Sequence, residues 1–159
     1  MSFLVETFFP RAWNVVVYGA GHVGQAVARV LAMLDCRLTV IESRAEWRSK
    51  LPPEIRALDW EHPAERVGEL PPGAFHVVMT QDHETDRPIL AALAGRAPAF
   101  VGVIGSKAKS AKLRAELLAA GCDAAYVEKI RCPIGLELGG NVPAEIAISV
   151  AAQLLKERT

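Results

Sequence analysis

Cysteine is scarce: Cys36, Cys122 and Cys132 are odd in number, widely spaced and never joined in a C-x-x-C pair. That excludes a disulfide framework or a structural zinc site as the basis of the fold. An excess of one charge is also missing, since 18 Lys and Arg residues offset 18 Asp and Glu and no dense basic block occurs. The field of the whole chain therefore offers no general attraction to nucleic acid or to an anionic membrane, and any anion site must be local. No uncharged apolar run reaches the roughly 18 residues that a membrane-spanning helix needs. The first residues, MSFLVETFFPRAW, lack a basic start and a small-residue cleavage site and contain Glu6 and Pro10, so no signal peptide is read and a cytoplasmic protein is expected. Repeats and low-complexity tracts are absent too.

What remains is a chain of 159 residues, 51% hydrophobic and 23% charged, which is the size and composition of one ordinary globular domain. Residues 1–12 read as an N-terminal extension or linker remnant, and 13–159 as the domain itself. Residues 14 to 18 (NVVVY) form a short apolar run that ends in glycine, and Val23, Val27, Val30, Leu31 and Leu34 follow at helical spacing. Residues 37 to 41 (RLTVI) have the composition of a buried parallel strand and end at Glu42, which completes a β-α-β unit. Five prolines between Pro52 and Pro72 break up the next segment, where a weak strand is placed near 55 to 58.

Regular signals resume with a strand over 75 to 80 (FHVVMT), a helix from about Glu84 to Ala94, and a strand over 99 to 104 (AFVGVI). A helix runs from Lys107 to a Gly121 stop, with Ser106 as its cap and with Ala108, Ala111, Ala115 and Leu118 on one face, Leu113 and Leu117 beside it. A last strand is expected around 125 to 130. A glycine-rich turn over 133 to 140 (PIGLELGG) then leads through Asn141 and Pro143 into a final helix, EIAISVAAQLLKER. Its apolar residues lie on nearly all sides, so it is expected to be buried on two sides or shared in a homodimer. Strands alternating with helices imply a Rossmann-like, doubly wound α/β fold, with a mostly parallel sheet covered on both faces.

Candidate binding residues follow from that layout. In the loop Gly19-Ala20-Gly21-His22-Val23-Gly24, the first glycine permits a tight turn, the second lets an anion reach the backbone, and the third allows helix and strand to pack closely. Glu42, about 20 residues on, stands where a carboxylate accepts hydrogen bonds from a ribose diol, or is simply a solvated acid at a strand end. Arg44 could meet an extra phosphate. His22 would project near the ligand or bond a backbone carbonyl. Asp82, His83 and Asp86 lie past a strand end, where ligands of such sheets bind; His83 with either acid could move protons, with capping and other polar roles as the alternative and too few ligands for a metal. Gly105, Ser106, Lys107 and Lys109 make a second candidate anion contact, or a capped surface helix with solvated lysines. Cys132 reads as a small buried apolar residue sooner than as a soft ligand.

The loop GAGHVG, the segment VMTQDHETD, IGSKAKSAKL and above all CPIGLELGGNVPAEIAISVAAQLL together resemble the C-terminal domain of the xanthine dehydrogenase accessory protein family, of the XdhC/CoxI type, from about Trp13 to Leu155. The resemblance implies a maturation chaperone that binds molybdenum cofactor, as molybdopterin or its dinucleotide, and delivers it to a xanthine dehydrogenase-type molybdoenzyme, which does the redox chemistry. The glycine loop would hold the phosphate and Glu42 a ribose. Gln81 stands where the family usually has histidine and Glu137 where it usually has aspartate, and full-length members carry an N-terminal domain ahead of this one. Two other readings of the glycine loop stay open, a small NAD(P)-dependent oxidoreductase and a nucleotide-sensing Rossmann module. Against the oxidoreductase, no Tyr-x-x-x-Lys pair occurs and no separate substrate domain is in view.

Overall fold

The computed structural model describes residues 13–158, and the extension expected at 1–12 lies outside the described residues. Five parallel strands form one sheet in the order β3-β2-β1-β4-β5. They are β1 (Asn14–Tyr18), β2 (Arg37–Ile41), β3 (Arg56–Leu58), β4 (Phe75–Val78) and β5 (Phe100–Val103). The helices are α1 (His22–Leu31), α2 (Ala45–Arg48), α3 (His83–Leu93), α4 (Lys107–Ala119), α5 (Ala124–Lys129) and α6 (Pro143–Arg158), with a 3₁₀ helix over Pro63–Glu69.

The run of β-branched residues in β1 has no polar alternation because both faces of the sheet are covered. Val15 and Val17 share one core layer with Val27 and Leu31 of α1 and Val150 and Leu154 of α6. Val16 and Tyr18 share the other with Leu90 and Leu93 of α3 and Leu113 and Leu117 of α4. Strand order reverses between β1 and β4, so the crevice between their carboxyl ends is the switch point at which ligands of such sheets bind. Backbone bonds extend the ladder one residue past the strands, from Gly19 N to Ile41 O, Glu42 N to Leu58 O, Met79 N to Tyr18 O and Ile104 N to Val78 O. Gly19, Glu42, Met79 and Ile104 thereby stand level along one edge.

Two expectations are corrected. The strand expected over 125 to 130 is the helix α5, because Asp123 accepts a hydrogen bond from Ala125 N and starts a helical turn. All that remains of strand pairing there is an isolated bridge from Gly102 to Arg131. The buried face of α4 consists of Ser110, Leu113 and Leu117, while Leu118 is 48% exposed. The alanines misled the reading because their small side chains satisfy either face. Helix α6 is covered over a wide arc, with Ala147, Val150, Ala151 and Leu154 in the core and Ser149 and Gln153 against the glycine-rich turn, and only Ile148 and Leu155 among its large apolar residues are exposed. No helix among the described residues is long and apolar enough to cross a membrane.

One polar pair lies inside the sheet. Tyr18 and His76, on neighbouring strands, are both buried, and the Tyr18 hydroxyl meets His76 Nδ1 at 2.9 Å. Burial raises the phenol pKa, so the hydroxyl stays protonated and donates; burial likewise lowers His76 from 6.5 to about 4, so the neutral imidazole accepts. In the unfolded chain His76 takes up its proton near 6.5, and in the folded chain only near 4. Stability is therefore full above pH 6.5 and falls as pH drops from 6.5 to 4, by up to about 3 kcal/mol from this residue. Urea unfolding at pH 7.5 and pH 4.5 should show most of that loss, and His76→Gln, which keeps an acceptor without titrating, should flatten the difference.

Candidate functional site

The turn after β1 exists in this form because two side chains are missing, at Gly19 and Gly24. Gly19 has φ +101°, and a Cβ there would lie 2.4 Å from Met79 O. A Cβ on Gly24 would come within 2.1 Å of Gly19 O, a contact no larger residue could accept, so glycine allows α1 to press against the end of β1. Gly21 differs from both: it has ordinary φ of −72°, and a Cβ would meet only Arg44 Nη2, at 4.0 Å. The space above the Gly21 backbone is open and faces a guanidinium.

Helices α1, α2, α3 and α4 all begin along this edge, and the three of ten or more residues differ in how they start. Asp82 caps α3 by accepting from Thr85 N at 2.8 Å, and Ser106 caps α4 by accepting from Lys109 N at 3.1 Å. Helix α1 has no side-chain cap and no acid in its first turn. Its first amide N–H groups and the positive end of its dipole are thus left for an external anion.

Glu42 is only 5% exposed and accepts four hydrogen bonds: from Ala20 N at 2.9 Å, and from Arg44 N at 3.0 Å, Nε at 3.1 Å and Nη2 at 2.7 Å. Burial raises the carboxyl pKa, and the bonds from Arg44 and Ala20 together outweigh it, so the group is held below the ordinary carboxylate range. The Arg44 guanidinium also lies over the ring of Trp47, 5.3 Å from its centroid, with Lys50 Nζ at 4.3 Å and the exposed His22 ring edge-on at 5.0 Å. Gln25 Nε2 ties this side together by donating to Ala20 O and Trp47 O.

Across the switch point, fully buried Asp86 accepts from Lys109 Nζ at 2.7 Å and from both the amide and the hydroxyl of Thr80. Lys109 Nζ also donates to Ile104 O at 2.8 Å, so one ion pair joins the ends of β4 and β5 to α3 and α4. Gly105, at φ +154°, leaves room for the Lys109 side chain, whose Cδ would be 2.4 Å from a Cβ.

The candidate residues therefore divide. Gly19, Gly21, His22, Val23, Gly24 and Glu42 come together at the β1–α1 turn, and Gly105 stands beyond β4 at the end of β5. Asp82 and Ser106 are engaged as caps, and Lys107 is exposed in the first turn of α4. His83 turns toward α4, where Nε2 meets Glu116 Oε2 at 2.6 Å. Cys132 is half-buried and burial raises its pKa, so it stays a thiol at neutral pH. Among the described residues no group of three or more His, Cys, Asp and Glu side chains comes together as a metal site. Asp86 and Lys109 are taken up by each other, and Trp47 and Gln25, which complete the edge, were not among the residues singled out from the sequence.

Besides an open groove of about 340 Å³ along His22, Gln25, Trp47 and Lys50, two clefts lie at the strand ends. One of about 60 Å³ lies at the ends of β1, β2 and β4, lined by Gly19, Glu42, Arg44, Trp60 and Thr80. The other, of about 490 Å³, lies between Gly105 and the glycine-rich turn, with Pro133, Glu137, Gly139 and Asn141 in its lining. That turn is fastened to α6, where Gln153 Oε1 accepts from Gly135 N at 2.7 Å and Ser149 fills the space a Cβ on Gly135 would need.

Gly24→Ala should lower stability by about 3 kcal/mol, because α1 must move off β1, whereas Gly21→Ala should change it by no more than about 1 kcal/mol. Chemical unfolding of the pair distinguishes the two glycines. Lys109→Met should cost about 3 to 5 kcal/mol in the same assay, since it leaves the Asp86 carboxylate buried without its counter-charge.

Comparison with known proteins agrees with this architecture. A family model described as the XdhC Rossmann domain matches residues 15–154. The uncharacterized protein YqeB of Escherichia coli (strain K12) is 28% identical over 145 residues, which are 90% of this chain and 27% of that protein. A crystal structure of a xanthine dehydrogenase from Bacillus halodurans superposes with a TM-score of 0.77 at 22% identity, over 92% of this chain and 43% of that one. Homoserine dehydrogenase from S. aureus shares the fold more distantly, with a TM-score of 0.51 at 11% identity over 76% of this chain and 31% of the other. This chain thus spans less than half the length of each of these proteins. With its glycine loop, parallel sheet and fastened PIGL turn all falling inside the matched stretch, the chain belongs to the XdhC Rossmann-domain family.

Proposed function

We propose that this domain holds molybdenum cofactor for a maturation factor that protects the cofactor and delivers it to a molybdenum hydroxylase of the xanthine dehydrogenase type. The observation that carries the reading is the open, uncapped start of α1 at Gly21, inside a chain that matches the XdhC Rossmann domain over residues 15–154. Molybdopterin ends in a phosphate, and its dinucleotide contains a pyrophosphate. Either anion suits amide N–H groups at a helix start beside a guanidinium.

Each part of the edge has a task in such a carrier. Gly19 and Gly24 hold the turn in shape, Gly21 leaves the approach free, and Arg44 supplies the charge. The Lys109–Asp86 pair fixes the ends of β4 and β5, so the cleft beyond them keeps its form. The bound cofactor would bring the redox-active metal, and the recipient enzyme would carry out the chemistry. The residues found at this edge are suited to binding and positioning: Glu42, Arg44, Asp86 and Lys109 are engaged in ion pairs and Asp82 in a cap, and the thiol of Cys132 is not activated.

The protein purified from cells able to make molybdopterin should yield oxidised pterin fluorescence after acid treatment, and protein from cells unable to make it should not. Gly21→Val, which places a side chain above the backbone where the anion would rest, should abolish that pterin while thermal unfolding stays close to wild type. Absence of pterin together with micromolar binding of NAD(H) would overturn the reading in favour of a nicotinamide-dependent module.

A further inference from the structure

We propose that the ligand of this edge is a phosphomonoester whose heterocyclic body lies on the β5 side, in the cleft over Gly105, with Arg44 as the second phosphate contact and with Glu42 reading no ribose. The assignment rests on the cofactor-holding function proposed above and names the chemical form that the site takes.

Three observations carry it. A carboxylate offers about four acceptor positions, and all four on Glu42 are filled by Ala20 N–H and by Arg44. A ribose diol could be read only by displacing the amide that shapes the glycine loop or the guanidinium chelate. Second, the cleft on the Glu42 side measures about 60 Å³, room for about two waters. Its Trp60 wall belongs to the buried core and is backed by Arg66, 4.3 Å from the ring centroid, so the cleft cannot deepen without disturbing the core. The cleft between Gly105 and the PIGL turn measures about 490 Å³, within the usual range of small-molecule sites.

Third, Arg44 does not have to leave Glu42 to meet a phosphate. A guanidinium has five N–H donors, and the side chain of Arg44 places Nε and Nη2 on Glu42. The remaining donors are free for an anion above Gly21, whose open side faces Nη2 at 4.0 Å. Glu42 is then a positioning residue: it aims Arg44 and holds the Ala20 amide. On the β5 side, the carboxylate of Glu137 and the amide of Asn141 line the larger cleft and could accept from or donate to the N–H edge of a flat nitrogen heterocycle.

The test uses the whole chain and compares neopterin monophosphate, a fluorescent pterin phosphomonoester, with unphosphorylated neopterin, ADP and 2′,3′-dideoxy-ADP. Neopterin monophosphate should bind at least about tenfold more tightly than the other three. The two adenine nucleotides should match within about twofold, because no diol is read. Arg44→Met should erase the advantage of the phosphate while Arg44→Lys keeps part of it. The ranking on unaltered protein stands even if a variant unfolds. Tighter binding of ADP, with a loss of about tenfold when its diol is removed, would overturn the assignment. Equal binding of neopterin with and without phosphate would overturn it too, while leaving the cofactor-holding function intact. If neither pterin binds but inorganic phosphate does so through Arg44, the pterin function falls and the phosphate role of Arg44 is upheld.

Discussion

Helix α1 approaches the end of β1 so closely that the carbonyl of Gly19 occupies the place of a Cβ on Gly24. Much of the rest depends on that contact. It brings the first amides of α1 to the level of the strand ends, next to the switch point of the sheet, and it aligns Ala20 N with the carboxylate of Glu42. A helix standing farther off by one methyl group would carry the Ala20 amide away from Glu42.

A second constraint acts on the opposite side of the switch point. Asp86 is fully buried, and it is tolerable there because Lys109 and Thr80 satisfy it. The two ion pairs, Glu42 with Arg44 and Asp86 with Lys109, each compensate a buried carboxylate on one flank of the loop. What remains uncompensated between them is the positive start of α1.

The framework was legible in the sequence where backbone geometry alone determines the residue. The strands β1, β2, β4 and β5 show as apolar runs because a sheet covered on both faces admits little else, and the roles of Gly19, Gly21 and Gly24 follow from the space each turn leaves. Legibility fails where a choice depends on distant partners. Nothing local indicates that His83 meets Glu116, 33 residues away, or that Lys109 reaches back to Asp86. Residues 125 to 130 contain Tyr126 and Val127 and so pass for a strand, yet the cap at Asp123 makes them helical. Glu42 was found by position, but not the filling of its acceptor sites, although Arg44 lies two residues on, the spacing that puts side chains on one side of an extended chain.

Trp47 has a consequence of its own. Of the three tryptophans, Trp13 and Trp60 are buried in the core, and Trp47 stands partly exposed with Arg44, Lys50 and His22 around its ring. Indole emission responds to nearby charge, so an anion that neutralises Arg44 or draws His22 toward the loop alters the light from this ring. The domain contains its own optical gauge of occupancy, placed beside the glycine turn and readable without a label.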